Sequence, residues 1–161
     1  MGQDLTNAGS AMSPSNLPPL PPILLFLGLG LVAGMHFLLP GLDLLPQPLP
    51  PLGALLAVGS GVLALTAGRE LRRRQTTFGF SCSTALVTSG VFRHTRNPMY
   101  LSILLLHLGA ALVSANLAAL AVPLATFLVL DRLMLPREEA RLETLFDREF
   151  LDYKARTRRW L

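Results

Sequence analysis

The stretch Gly90-Val91-Phe92-Arg93-His94-Thr95-Arg96-Asn97-Pro98-Met99-Tyr100 places basic, amide and aromatic side chains at the entrance to a long apolar run. That run continues to Ala115, and after a very short polar turn at 114–116 another apolar run covers 117–135. A second polar cluster, Pro136-Arg137-Glu138-Glu139-Ala140-Arg141, follows directly. This order predicts a tight helical hairpin in a membrane, which brings the two polar clusters to the same membrane face.

The composition is that of a membrane protein. The 161 residues are 51% hydrophobic and only 15% charged, whereas soluble domains carry roughly 25% charged residues. The net charge is +4, but no Lys or Arg precedes Arg69, and the later positive charges flank apolar runs. Nucleic-acid binding requires a basic face instead. We therefore expect membrane lipids and no nucleic acid as partners, and the oligomeric state stays open.

Four apolar runs predict an all-α integral membrane protein with about four transmembrane helices. Residues 1–21 are polar and then proline-rich, which predicts a flexible N-terminal segment. The transmembrane domain is predicted over 22–135, with spans at about 22–39, 52–68, 99–115 and 117–135. The charged tail, 136–161, has apolar residues at near-helical spacing and predicts an amphipathic helix on the protein or membrane surface. Its end, 156–160, has a composition suited to an anionic headgroup layer.

The distribution of positive charge predicts the topology. Arginines cluster at 69–74, at 93–96 and in the tail, whereas the loops around Asp43 and Asn116 have none. Positive loops stay in the cytoplasm. We therefore expect the 69–98 loop, the tail and both termini on the cytoplasmic side, with Cys82 in that loop.

Arg96, Asn97, Pro98 and Tyr100 are the first candidates for chemistry. Arg96 offers a rigid fork of donors for a carboxylate or phosphate, Asn97 offers two donors and an acceptor, and Tyr100 offers a ring and a hydroxyl. Pro98 fixes the backbone at the membrane entry, and Asn97 can cap the helix that begins there. A helix cap with a topology charge and an interfacial aromatic residue explains the same pattern without chemistry.

Glu138 and Glu139 are the second candidates. Neighbouring residues on a helix project about 100° apart, so one acid can face a site while the other faces a cation or solvent. Two acids in a first turn also favour the helix dipole without any further role.

Charges inside a membrane span usually face the protein interior, so Asp131, Arg132 and the mid-span His107 are candidates for lining a substrate tunnel. There are simpler interpretations of two of these residues. His107 can be a hydrogen-bonded histidine of the core, and the Arg132 side chain can extend to the membrane interface. His94 in the loop is a candidate ligand contact. No spacing of His and acidic residues resembles a metal site, and no glycine-rich phosphate loop is present.

The pattern from Leu86 to Leu161 resembles the isoprenylcysteine carboxyl methyltransferase family in its compact bacterial form. The residues that carry the resemblance are the lead-in at 86–93, the core at 96–101, the acidic motif at 137–139, and an ending formed by Phe146, Phe150 and 153–160. Related phospholipid N-methyltransferases share much of this pattern.

The resemblance implies S-adenosylmethionine as the methyl donor and a cytoplasmic pocket that the loop and the tail complete, in a bacterial inner membrane. It implies that Asn97, Pro98, Tyr100, Glu138 and Glu139 border the cofactor, and that Arg96 orients the acceptor or polarises its accepting group. From their positions in the loop, we expect Arg96 to be the catalytic residue and His94 to be a further cofactor contact.

Several functions remain open at this stage. The leading interpretation is a methyltransferase acting on a lipophilic carboxylate, thiol or amine, and the nearest alternative is a phospholipid N-methyltransferase. A small membrane transporter and a non-catalytic membrane subunit are the alternatives of other classes. A transporter favours an acidic residue inside an early span, and the first two runs contain none.

Overall fold

The computed structural model describes residues 20–44, 46, 49–74 and 85–161. Cys82 and nearly all of the predicted N-terminal segment lie outside these residues. Within them the chain forms helices and no strands. The five α-helices are α1 (Leu20–Leu38), α2 (Leu49–Arg73), α3 (Pro98–Val113), α4 (Ala121–Val129) and α5 (Leu135–Arg156).

Three segments are long and apolar enough to cross a membrane: Pro21–Leu38, Leu49–Arg73 and the helical segment Ala118–Arg156. Helix α3 is apolar but shorter, with 16 residues, and it packs extensively along α2. Each of these helices runs antiparallel to the next one in the chain. The connection between α2 and α3 lies at one end of the bundle, and the connections between α1 and α2 and between α3 and α4 lie at the other. The prediction of an all-α membrane protein is confirmed.

Small residues allow α2 and α3 to approach closely. A Cβ atom added at Gly53 would lie 2.6 Å from the backbone oxygen of Gly109, and one added at Gly109 would lie 2.6 Å from the backbone oxygen of Gly53. The two backbones are therefore nearly in contact at this point. Close approach of this kind is the usual way in which helices gain packing energy within lipid, where burial of apolar surface gives no advantage.

His107 joins three helices. Its side chain is fully buried, its Nδ1 lies 3.1 Å from Thr126 Oγ1 of α4, and its Nε2 lies 3.1 Å from the carbonyl oxygen of Leu25 in α1. The ring also lies against Gly28, where there is no room for a Cβ atom. These contacts account for a buried histidine without a tunnel, and the tunnel role of His107 stays a prediction.

The fourth span and the tail differ from the sequence-based expectation. A π-helical turn (Leu130–Met134) joins α4 to α5, so the helix continues across the expected boundary at 135 and 136. Pro136 has no N–H group to donate within the helix, and it follows closely after the π-helical turn, where the regular hydrogen-bond pattern changes. The apolar part of this segment ends at Leu135, because charged residues begin at Arg137. Residues 118–135 come close to the roughly 20 residues that a span requires, so we treat α5 from Pro136 onward as lying outside the membrane.

The chain reverses direction inside α5 rather than before it. Asp147 has φ +41° and interrupts the helix. Beyond it the chain runs back along the first half of α5, so that Lys154 Nζ lies 3.3 Å from Glu143 Oε1 and Arg159 reaches Glu139. The tail thus folds onto the bundle as a helical hairpin.

The bundle has two different ends. We call the end formed by the last turn of α2, residues 90–98 and α5 the charged end, and the end that contains Asp43 and Asn116 the opposite end. At the opposite end, the Asn116 side-chain amide donates to the carbonyl oxygen of Leu39 and to Asp43 Oδ1, both at 2.8 Å. These bonds tie the tight turn before α4 to the loop after α1.

Candidate active site at the charged end

The loop that leads into α3 is shaped by Gly90. Its φ of +59° suits glycine, and a Cβ atom there would lie 2.9 Å from the Glu70 side chain of α2. A 3-10 turn (Gly90–Arg93) follows, with Phe92 buried beneath it. The buried Pro98 then starts α3. This geometry holds Arg96 and Asn97 against the returning tail.

Arg96 is almost completely engaged by the tail. Its Nη1 donates to the carbonyl oxygens of Lys154 and Thr157, and its Nη2 donates to Glu139 Oε1 at 2.8 Å. Its backbone N–H donates to the carbonyl oxygen of Arg158. The buried Nε has no hydrogen-bond partner among the described residues. Arg96 therefore anchors the tail, and its buried Nε is a donor that the contacts among the described residues leave unpaired.

Glu139 lies between two guanidinium groups. Besides Arg96, it binds Arg159 through both carboxylate oxygens, with Nε to Oε1 at 3.1 Å and Nη2 to Oε2 at 2.7 Å. Arg159 Nη1 also donates to Asp131 Oδ1 at 3.2 Å. The side chains of Arg96 and Glu139 are only 9% and 8% exposed, so this ion pair is buried.

Asn97 has a different role from the expected helix cap. Its side chain makes no capping hydrogen bond, and its amide instead donates to the carbonyl oxygen of Arg159 at 3.0 Å. Thr95 Oγ1 donates to the same carbonyl oxygen at 3.1 Å. The amide is thus used to hold residue 159 rather than to complete the helix.

Glu138 faces α3. The hydroxyl group of the buried Tyr100 donates to Glu138 Oε2 at 2.8 Å. The two neighbouring glutamates therefore contact different partners, as expected for side chains about 100° apart on a helix.

The surroundings of the two acids shift their pKa values in opposite directions. Burial raises the pKa of Glu138 above its usual value, although the bond from Tyr100 and the charge of Arg141 partly counteract it. Burial acts in the same direction on Glu139, but the bonds from Arg159 and Arg96 outweigh it and hold the pKa of Glu139 below its usual value. Glu139 is thus an ionised group bound to the protein's own cations.

A pocket lies between the loop, the last turns of α2 and both halves of α5. One side is polar, with Arg96, Asn97, Glu138 and Glu139. The other side is apolar, and its residues are Leu71, Ala85, Leu86, Val87, Phe92, Pro98, Leu142, Phe150 and Tyr153. The space inside the pocket is about 70 Å³, and its mixed lining can contact both a polar and an apolar group of a ligand.

The structure contains two further cavities near the loop and α3. An apolar groove of about 360 Å³ lies between α1, α2 and α3, with Pro22, Ala64, Met99 and Leu106 in its wall. A polar cavity of about 450 Å³ shares Tyr153 with the pocket and is lined by Arg93 and Arg156. Neither arginine forms an ion pair with another residue in the part of the chain that the structure describes.

The structure thus brings Arg96, Asn97, Pro98, Glu138 and Glu139 together at one pocket. Tyr100 contacts it through Glu138. His94 is exposed and does not belong to its lining, and the Arg132 side chain is 76% exposed beside Asp131. The cofactor role of His94 and the tunnel role of Arg132 stay predictions. Among residues 20–44, 46, 49–74 and 85–161, no three His, Cys, Asp or Glu side chains are grouped so that they could hold a metal.

Sequence reasoning missed Arg159 and Trp160 as parts of the site. Both were assigned to a lipid headgroup layer, but Arg159 binds Glu139 and Asp131, and the Trp160 indole donates to Asp131 Oδ1 at 3.0 Å. Asp131, an acid at the end of a span, required a cation or a donor from somewhere. That requirement was the available signal, but the reversal at Asp147 that satisfies it could not be anticipated.

Comparison with known families identifies the class. Residues 50–149, more than half of the chain, match the family model described as phospholipid methyltransferase. The chain belongs to this family of membrane methyltransferases, to which the isoprenylcysteine carboxyl methyltransferases are related. The match includes the loop, Arg96 to Tyr100 and both glutamates, but ends before residues 157–161. No curated protein and no solved structure matches the chain.

Proposed function

We propose that the protein transfers a methyl group from S-adenosylmethionine to a lipophilic acceptor that enters from the bilayer, as isoprenylcysteine carboxyl methyltransferases do. The observation that carries the proposal is the position of two cavities at the start of α3. Pro98 lines the polar and apolar pocket, and the next residue, Met99, lines the apolar groove. A charged cofactor and an apolar acceptor can therefore approach one another at this point.

The residues of the pocket fit S-adenosylmethionine by their chemistry. The cofactor has a sulfonium and an ammonium group, a carboxylate, and an aromatic base. Glu138 can accept from the ammonium or ribose groups, and Phe92 and Phe150 offer apolar surface for the base. When it is bound, the cofactor supplies an electrophilic methyl group.

The roles of the side chains follow from their contacts. Tyr100 fixes Glu138 through its hydroxyl group, and Glu139 fixes Arg96. We assign Arg96 the catalytic role, with Nε as the donor that orients the acceptor group. No metal and no covalent nucleophile are required, since alignment of donor and acceptor provides much of the rate gain in such a displacement.

The proposed orientation follows from the arginines. The charged end carries Arg72, Arg73, Arg93 and the tail, and such charges remain in the cytoplasm. We therefore place the pocket and both termini at the cytoplasmic face, where S-adenosylmethionine is made, in a bacterial inner membrane. The apolar groove then opens toward the inner leaflet.

Phospholipid N-methylation is the second candidate, and one observation favours it. The cavity beside Tyr153 presents Arg93 and Arg156, which suit the phosphate of a headgroup. If the acceptor is a phospholipid, Arg93→Gln and Arg156→Gln should weaken its binding. If the acceptor is a lipophilic carboxylate or thiol held in the groove, these variants should behave like the parent protein.

The direct test uses membranes that contain the protein, S-adenosylmethionine with a labelled methyl group, and identification of the labelled product. We expect label in a lipid-soluble product, and the atom that carries it distinguishes O-, N- and S-methylation. If the purified protein binds the cofactor but labels nothing in a total lipid extract, it is a non-catalytic subunit. If it does not bind the cofactor, the proposed function is wrong, and transport becomes the interpretation to test.

A further inference from the structure

The C-terminal segment, residues 157–161, contacts three parts of the site at once. The Arg159 side chain binds Glu139 of α5 and Asp131 at the end of the fourth span. Its carbonyl oxygen accepts hydrogen bonds from Thr95 and Asn97 in the loop. No other residue of this segment binds both the loop and the acidic side chains.

Two of the residues that Arg159 contacts, Asn97 and Glu139, line the pocket. The bond to Glu139 is bidentate, and an arginine fork of this kind fixes the orientation of a carboxylate as well as its charge. Arg159 itself does not belong to the pocket lining. It can therefore influence a ligand only through the residues that it holds.

We propose that Arg159 is a positioning residue of the active site, which holds Asn97 and Glu139 in the geometry that binds the cofactor when residues 157–161 are docked. This inference rests on the proposed function. It assigns a role to a segment that lies beyond the family match, which ends at residue 149.

Docking of the segment can be observed without any assay of function. Trp160 is the single tryptophan of the chain. Its indole donates to Asp131, and its ring lies 5.3 Å from that of Phe127 in α4. Release of residues 157–161 would expose this indole to water, which shifts its emission to longer wavelength and increases its quenching by acrylamide.

The matched variants are Arg159→Ala and Arg158→Ala. Arg158 is the neighbouring arginine, and among the described residues its exposed side chain donates a hydrogen bond only to the carbonyl oxygen of Leu161, at 3.5 Å. Arg159→Lys keeps the charge without the fork, and it serves if the alanine variant does not fold. Each protein is purified at full length in detergent, and Trp160 emission, binding of S-adenosylhomocysteine and methyl transfer are measured.

We expect Arg159→Ala to increase quenching of Trp160 and to weaken binding of S-adenosylhomocysteine about tenfold or more, as expected for the loss of charge-assisted bonds. Arg159→Lys should recover part of the affinity, and Arg158→Ala should match the parent protein. Saturating S-adenosylhomocysteine should also protect Trp160 from quenching in the parent protein, because a ligand stabilises the docked state that binds it.

The proposal is overturned if Arg159→Ala or Arg159→Lys binds S-adenosylhomocysteine as tightly as the parent protein, whatever the emission of Trp160. Failure of the proposed function would give a different experimental result. In that case the parent protein itself does not bind S-adenosylhomocysteine, while Trp160 still reports whether Arg159 anchors the segment.

Discussion

The two ends of the bundle both use buried polar contacts to tie loops to helices, but they use them differently. At the opposite end, Asn116 binds Leu39 and Asp43, and its Oδ1 also accepts from the backbone N–H of Ala118. At the charged end, Glu139 binds Arg96 and Arg159 beside a pocket, and Arg96 Nε has no partner among the described residues. Each end contains a buried side-chain nitrogen without a hydrogen-bond partner among the described residues, His36 Nδ1 beside Asp43 at the opposite end and Arg96 Nε at the charged end. The difference lies in the pocket that Arg96 and Glu139 line at the charged end.

The difference shows how buried polar residues can be assigned to fold or to function. Breaking either network should destabilise the protein, since buried polar groups need partners. Only the network at the charged end should also determine cofactor affinity and turnover in the molecules that remain folded. Paired changes at the two ends therefore test the comparison.

The largest effect is expected from Glu139→Gln. The amide keeps the shape of the carboxylate but removes the negative charge that pairs with Arg96 and leaves Arg159 with Asp131 alone. Removing one partner of a buried ion pair costs about 3–5 kcal/mol. We expect methyl transfer to fall by roughly a hundredfold or more. Thermal unfolding in detergent and labelled-methyl assays on the folded fraction measure both effects. Full activity in that fraction would reduce Glu139 to a structural residue like Asn116.

A smaller effect is expected from Arg96→Lys. Lysine keeps a positive charge near Glu139, but it lacks Nε–H and the fork that also binds the carbonyl oxygens of Lys154 and Thr157. We expect turnover to fall at least about tenfold, with a smaller loss of cofactor affinity. Arg137→Lys, at an exposed position of α5, is the control. Equal turnover for Arg96→Lys and the parent protein, at saturating substrates, would remove the catalytic role.

The smallest effect on function is expected nearer the opposite end, from Gly53→Ala. The added Cβ atom would lie 2.6 Å from the Gly109 carbonyl oxygen and force α2 away from α3. Such overpacking costs about 1–3 kcal/mol. At Gly59 of the same helix a Cβ atom meets nothing within 4 Å, so Gly59→Ala should be harmless. We expect the unfolding temperature of Gly53→Ala to fall and that of Gly59→Ala to stay at the parent value. The cofactor affinity of both folded variants should be unchanged. Loss of affinity in folded Gly53→Ala would show that the two ends are not separable.

The fold could be predicted largely from the apolar runs, because a membrane leaves the backbone few alternatives to helices. The predicted starts of the spans agree with the helices to within a few residues at α1, α2 and α3. The tail could not be predicted in the same way. Its continuity with the fourth span depends on a π-helical turn. Its reversal depends on Asp147, whose φ of +41° and ψ of −116° lie outside the left-handed helical region that aspartate commonly adopts, and the sequence pattern does not indicate this conformation.

The part of the candidate site that lies close to the ends of the predicted hairpin could be predicted from the sequence. Arg96 to Tyr100 and the two glutamates were expected at one membrane face from the hairpin alone, and the structure brings them together there. The assignment of Glu139 to the protein's own arginines, and of Glu138 to Tyr100, depends on side-chain directions that sequence spacing limits but does not determine. Arg159 was missed because its partners lie 20 and 28 residues away in the chain.

The most direct test of the central claim is calorimetric binding of S-adenosylhomocysteine to purified parent protein, to Glu138→Gln and to Asn116→Ala. Glu138 lines the pocket at the charged end, whereas Asn116 belongs to the network at the opposite end. We predict that the parent protein and folded Asn116→Ala bind with the same affinity, and that Glu138→Gln binds about tenfold more weakly. Equal affinity for all three proteins, or no binding to any of them, would contradict the assignment of the charged-end pocket to the cofactor.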